Sequence, residues 1–245
     1  MSPTQSISQP EVLTTADFHA AVLELAPSVA VFDCDGTLWS GDSGTGFMRW
    51  TIERGILSRA AIDQLDHRYR AYLRGEVSEI DICGEMVQIY QGLRESEMRS
   101  AAAEFFHVRM EQNLFPEMLA LISELQSRGT EIWAVSSTCD WVVEEGVRRF
   151  NIPAEHVLSA RASISADGLV TNHLIDVPTG EAKVASLAHA CVARPDAAFG
   201  NSIHDAAMLA NARHAFPVNP TPALLDHSTQ QGWPIYLPAS VRHTA

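Results

Sequence analysis

Ser28-Val29-Ala30-Val31-Phe32 runs without a break into Asp33-Cys34-Asp35-Gly36-Thr37-Leu38. The first half is short, apolar and β-branched, and Pro27 stands just before it. That pattern predicts a buried strand. The second half sets two acids, a glycine and a threonine at the strand's carboxyl end, where open α/β sheets hold their sites. Charge in such a place is costly unless a cation or hydrogen-bond donors compensate it. Two carboxylates this close suit divided labour, one ionised as nucleophile and one carrying a proton as general acid.

Upstream, Phe18, Val22 and Leu25 fall at helical spacing, and Thr14 with Asp17 can cap that helix. Residues 1–12 are polar and are expected to form a flexible tail. Downstream, residues 45–115 read as almost purely helical, with helices predicted over 47–54, 58–74, 78–91 and 96–114. From Pro116 the pattern alternates. A helix to Arg128 is followed by a strand at 131–136, a helix at 140–150, a strand at 156–160 and a hairpin around Ala166-Asp167-Gly168. A helix at 180–193, a strand at 197–200, a helix at 204–212 and a strand at 215–218 follow. The last elements are a helix at 222–231 and a strand at 233–237.

Strands alternating with helices imply a doubly wound parallel sheet. The α/β core is therefore assigned to residues 13–44 and 116–245, with residues 45–115 inserted as a small helical cap. Gly41, Gly44 and Gly46 at the entry to the cap read as a hinge and turn. They do not form G-x-G-x-x-G, and no Walker motif occurs.

Composition narrows the function. The chain has 245 residues, 46% hydrophobic and 19% charged, with 17 Lys+Arg against 30 Asp+Glu and a net charge of −13. Such an acidic protein is poorly made for gripping nucleic-acid phosphates or an anionic membrane, so neither is an expected partner. The start, Met1 to Pro10, lacks the basic and apolar regions of a secretory signal, and no run approaches the ~18 apolar residues of a membrane helix. Cys34, Cys83, Cys139 and Cys191 are scattered singly, which fits a reducing cytoplasm better than zinc or disulfide chemistry. A monomer or homodimer is the expectation, able to bind a small anion through one local cationic site, most often with a metal.

Asp33-Cys34-Asp35-Gly36-Thr37-Leu38 resembles the first motif of the haloacid dehalogenase superfamily in its phosphatase form. Ser136, ending Trp133-Ala134-Val135-Ser136, resembles the second, and Lys183 in Gly180-Glu181-Ala182-Lys183 the third. Gly200-Asn201-Ser202-Ile203-His204-Asp205 resembles the fourth. Their order, and a helical insertion between the first two, is similar to the phosphoserine phosphatase-like branch.

The resemblance implies a phosphomonoester hydrolase working through an aspartyl-phosphate on a small phosphorylated metabolite. Asp33 would be the nucleophile and Asp35 the acid and base, while Ser136 and Lys183 would hold the transferring group. Asp42, Ser137 and Thr37 are the expected substrate contacts. Mg²⁺ would be held by Asp33, the Asp35 carbonyl, Asn201 and Asp205. Asn201 departs from the acid common in the branch, so either it or Asp205 carries the fourth-motif ligation.

The resemblance also implies that an acid at Asp42 receives a substrate amine, and that a cap arginine receives a carboxylate. The stretch from Gly75 to Met86 has no arginine, with Met86 near the matching position. Arg68, Arg70 and Arg74 read as a solvated helix face. Trp39, Trp50 and Tyr90 are aromatic candidates for the pocket. An amino-alcohol phosphate is the favoured substrate class, with phosphoserine, or a catalytically silent binding protein of the same fold, as alternatives.

Overall fold

Strand β2 (Val29–Phe32) is apolar on both faces because both are covered. Ala30 and Phe32 point into one hydrophobic cluster and Val31 into the other, as the two-residue period of a strand requires. The computed structural model describes residues 10–242; residues 1–9, most of the expected tail, lie outside it.

Around β2 lies a six-stranded sheet of order β5-β4-β3-β2-β6-β7. Its other strands are β3 (Glu131–Cys139), β4 (Val157–Ile164), β5 (Val170–Asp176), β6 (Ala197–Gly200) and β7 (His214–Pro217). All neighbours are parallel except the β4–β5 hairpin at one edge.

Helices α1 (Thr15–Glu24), α6 (Pro116–Ser127) and α7 (Asp140–Val147) send Phe18, Leu121 and Val143 into the first cluster. Helices α8 (Glu181–His189), α9 (Ala206–Asn211) and α10 (Pro222–Gln231) send Leu187, Met208 and Leu224 into the second. The sheet is therefore doubly wound.

Between β2 and β3 the chain forms α2 (Ser43–Glu53), α3 (Arg59–Leu73), α4 (Glu79–Gln88) and α5 (Glu95–Phe105), the last continuing through a π turn at Phe106–Met110. The outgoing and returning chains lie together: Ser40 N–H donates to Asn113 C=O and Phe115 N–H to Leu38 C=O, both at 2.9 Å. Helix α5 is also tied to the core by charge. Arg99 meets Glu144 of α7 at 2.8 Å, and Arg161 of β4 meets Glu144 at 2.8 Å and Asp140 at 3.2 Å.

Two expectations are corrected. Val12 does not belong to a loose tail: β1 (Val12–Leu13) pairs in parallel with β8 (Ile235–Tyr236), forming a second, two-stranded sheet. Two apolar residues are too short a run to show a period, and the pairing partner lies more than two hundred residues away. The Phe18 ring stacks on Tyr236 at 4.1 Å beside this sheet.

The three glycines are not one hinge. Only Gly41 has a positive φ, 91°. Gly44 and Gly46 lie inside α2, where an added Cβ would come within 2.7 Å of the Thr138 hydroxyl and 2.9 Å of the Phe105 ring. They are there for close approach, and the expected boundary at residue 45 falls within a helix. Among the described residues no helix is long and apolar enough to cross a membrane.

Candidate active site

The carboxyl ends of β2, β3 and β6 converge on one buried ammonium. Lys183, 2% exposed, projects from the first turn of α8. Its Nζ donates to Asp33 Oδ1 at 2.7 Å, Asp205 Oδ1 at 2.6 Å and Val135 C=O at 2.9 Å. Three protons meet three acceptors, so the charge is fully satisfied. Burial alone would lower the lysine pKa; Asp205 and Asp33 overcome it and hold the ammonium above its ordinary value.

Asp33 has one donor on each oxygen, Lys183 on Oδ1 and the Thr37 hydroxyl on Oδ2 at 3.0 Å. Burial, then the neighbouring Asp205, push its carboxyl up to about 7 against the pull of Lys183. Thr37, expected at the substrate, is fully buried and donates its hydroxyl to Asp33. Its position follows from the turn after β2, where Gly36 takes φ 78° and Thr37 N–H closes back on Cys34 C=O.

Asp35 is held by three donors. Trp39 Nε1 and Ser43 N–H reach Oδ1 at 2.7 and 2.8 Å, and Thr138 Oγ1 reaches Oδ2 at 2.8 Å. Gly44 supplies the space for that threonine. Burial and then Asp42 push the Asp35 carboxyl above its usual range. The register of β3 slips between Ser136 and Cys139. This irregularity turns Ser136, Ser137 and Thr138 toward the same cavity, the re-aiming that bulges commonly provide.

The fourth motif divides its work. Asp205, 1% exposed, gives Oδ1 to Lys183, while Oδ2 accepts from the N–H groups of Asn201 and Ser202 at 2.9 and 2.8 Å. It is spent on the lysine and on its own loop. Asn201 donates Nδ2 to Asn219 C=O, and its Oδ1 takes part in no hydrogen bond among the described residues. Its side chain lies where a Cβ on residue 36 would be, 2.4 Å from the ideal position. Asn201, not Asp205, thus has an oxygen to spare beside Asp33 and Asp35.

Among the described residues no three His, Cys, Asp or Glu side chains form a metal-ligand group. The donor set is one carboxylate, a main-chain carbonyl and a neutral amide oxygen, all hard oxygens suited to Mg²⁺ with water completing the shell. Asp33, Asp35 and Asp205 line this cavity with Lys183, an excess of acidic over basic side chains. A dication fits that imbalance.

The cavity above these groups has a volume of about 570 Å³ and is lined by Asp33, Asp35, Ser136, Lys183, Asn201 and Asp205, among others. A second cavity of about 180 Å³ shares Asp42, Glu79, Ser137 and Thr138 with it and runs under the helical segment. Its aromatic walls are Phe47, Tyr69, Tyr72 and Tyr90. Tyr90 was legible as a candidate; Trp39 and Trp50 are buried and line neither cavity. Met86 lines the smaller cavity, and no lysine or arginine is among its described lining residues. Arg68, Arg70 and Arg74 pair with Glu85, Asp66 and Glu76.

Asp42 caps α2: Thr45 N–H and Thr45 Oγ1 occupy its two oxygens at 2.8 and 2.7 Å. Glu79, Thr138, Thr179 and His204 were not singled out by sequence. Glu79 Oε1 accepts from the Thr179 hydroxyl at 2.9 Å and Oε2 pairs with His204 Nδ1, joining α4 to the third- and fourth-motif loops.

The elevated Asp33 pKa has a stability consequence. Unfolded, the group ionises from 3.8; folded, it resists until about 7. The cost to folding therefore grows across that window and stays in force above it. In metal-free protein, Asp33→Asn is expected to gain stability over wild type as pH rises from 5 to 8. Urea denaturation in chelator at both pH values checks this, and a difference independent of pH would contradict it.

Three kinds of comparison find similar proteins. The family model for haloacid dehalogenase-like hydrolase matches residues 30–210. A histidinol-phosphatase of Neisseria meningitidis is 22% identical over 222 residues, covering 85% of this chain and 97% of its own. A probable phosphatase of Mycobacterium tuberculosis is 24% identical over 218 residues, covering 86% and 75%. Among solved structures, a Bordetella pertussis protein of unknown function superposes with TM-score 0.75 at 20% identity, covering 85% of this chain and 97% of its own. A substrate-bound phosphoserine phosphatase does so with TM-score 0.58 at 16% identity, covering 86% and 92%. The matched span holds all four motifs. The chain belongs to the haloacid dehalogenase-like hydrolases.

Proposed function

We propose that the protein hydrolyses the phosphate monoester of a small amino alcohol, with Mg²⁺, through a phosphoaspartate at Asp33. The observation that carries the substrate class is the smaller cavity. It has two carboxylates, Asp42 and Glu79, four aromatic side chains and no cationic side chain among its described lining. Such a pocket suits an ammonium or imidazolium group and offers nothing to pair a carboxylate. Phosphoserine, which carries one, fits it poorly. Histidinol phosphate has an ammonium and an imidazole and no carboxylate, and a relative bears the name of that activity.

Asp33 attacks phosphorus, forming the Oδ–P bond as the P–O bond to the alcohol breaks. Asp35 gives its proton to the departing oxygen, so an alcohol leaves and not an alkoxide. Water then attacks the phosphoaspartate and Asp35 takes its proton. The P–Oδ bond breaks, inorganic phosphate departs and Asp33 is restored. Asp35 Oδ2, with a single partner, is the oxygen that has room for the proton. Lys183 holds Asp33 and balances charge on the transferring group. The Ser136 hydroxyl, at the cavity wall, can donate to a phosphate oxygen. Asp33, the Asp35 carbonyl and Asn201 would hold Mg²⁺, which supplies the positive charge that lets a carboxylate approach a phosphate dianion.

Asp33→Asn should lower kcat by about 10³-fold or more, because a covalent step is lost. Chelation should abolish wild-type activity, and Asn201→Asp should reduce the Mg²⁺ concentration needed for half-maximal rate. Assays with an aryl phosphate check both. A near-normal rate in Asp33→Asn, or activity untouched by chelator, would contradict the mechanism. On the substrate class, kcat/KM for L-histidinol phosphate should exceed that for O-phospho-L-serine by about 10-fold or more, as an unpaired buried carboxylate requires. An equal or reversed preference would overturn it.

A further inference from the structure

The cavity offers two carboxylates, and their surroundings differ. Asp42 is exposed and has both oxygens occupied by Thr45. It also stands at the N-terminus of an eleven-residue helix, whose N–H groups already balance a negative charge there. Glu79 enters from the other side as the first residue of α4, behind the Ser78 cap. Its side chain is only 18% exposed. The Thr179 hydroxyl and His204 approach it from the core, each on a different oxygen. A carboxylate offers about four acceptor positions, so both keep capacity for another donor; what separates them is burial, since Glu79 is shielded from water and Asp42 is exposed.

Glu79 lines both cavities. It therefore stands where the transferred phosphate and the leaving alcohol meet. Tyr72 lines the smaller cavity with Glu79, and Tyr69 is 6.0 Å from Tyr72 between ring centres. Both rings line the smaller cavity. A carboxylate fixed next to aromatic rings is the arrangement that selects an organic cation over a neutral group of the same size.

We infer that Glu79, and not Asp42, receives the cationic group of the leaving alcohol, its carboxylate fixed from the core side by Thr179 and His204. This rests on the amino-alcohol reading and names the residue that carries it. Asp42 is left with capping α2 and holding the Asp35 proton by its charge.

The test uses 2-aminoethyl phosphate and n-propyl phosphate, which match in size and differ by the ammonium. Wild type should favour the amine. Glu79→Gln should raise KM for the amine about 10- to 100-fold, the worth of one charge-assisted contact, with kcat little changed and n-propyl phosphate unaffected. Glu79→Asp should recover part of the preference. In Asp42→Asn the ratio of kcat/KM between the two esters should stay within about twofold of wild type, since no such contact is lost.

Equal losses on both esters in Glu79→Gln would make Glu79 a latch between α4 and the core, and overturn the inference. So would a preference erased by Asp42→Asn and kept by Glu79→Gln. A wild type without preference for the amine brings down the amino-alcohol reading itself, which separates that failure from a misassigned receptor.

Discussion

One ammonium group, removed from water, organises this enzyme. Lys183 binds Asp33 after β2, the backbone of β3 at Val135 and Asp205 after β6. Without it, two carboxylates would face each other in a nearly dry space, at a cost that real proteins avoid by pairing or protonation. With it, three strands are drawn to one point and Asp33 has a fixed orientation. The same pairing explains the fourth motif: Asp205 is committed to Lys183 and to the 201–202 backbone, which leaves Asn201 as the residue proposed to hold the metal.

Asp35, the proposed acid and base, is held by different means. Asp35 depends on neutral donors, Trp39, Ser43 N–H and Thr138, and on the nearby charge of Asp42. Two carboxylates, two residues apart, thus sit in unlike settings, one bound to a cation and one to an indole, an amide and a hydroxyl. Helix α2 contributes to this through its start: Ser43 supplies a donor, and Gly44 makes room for Thr138. The helical segment therefore helps to build the reaction centre as well as the pocket beside it.

Much of this was legible in the sequence, because the decisive signals are local. A β-branched run ending in Asp-x-Asp-Gly-Thr names its strand and the chemistry at its end. Ser136, Lys183 and the stretch from Gly200 to Asp205 follow at strand ends or a helix start. The arginines at 70 and 74 lie on a solvated face, while Arg68 is half-buried and bonds Glu85 of α4. What escaped is what depends on distance along the chain. Val12 pairs with Ile235, and Glu79 meets Thr179 and His204. The Ser78 cap predicts where α4 begins, but nothing near Glu79 says what its carboxylate will meet. Thr37 and Asp42 were assigned to substrate by position in a motif, while their hydrogen bonds point to Asp33 and to Thr45.

The account stands on the claim that Lys183 and Asp205 stabilise each other in the fold and are not merely adjacent. A double-mutant cycle of Lys183→Met and Asp205→Asn, followed by urea denaturation of metal-free protein at pH 8, measures this directly. The account predicts a coupling on the order of 1–3 kcal/mol, with the double variant less destabilised than the sum of the single ones. Single effects that add to within about 0.5 kcal/mol would contradict it.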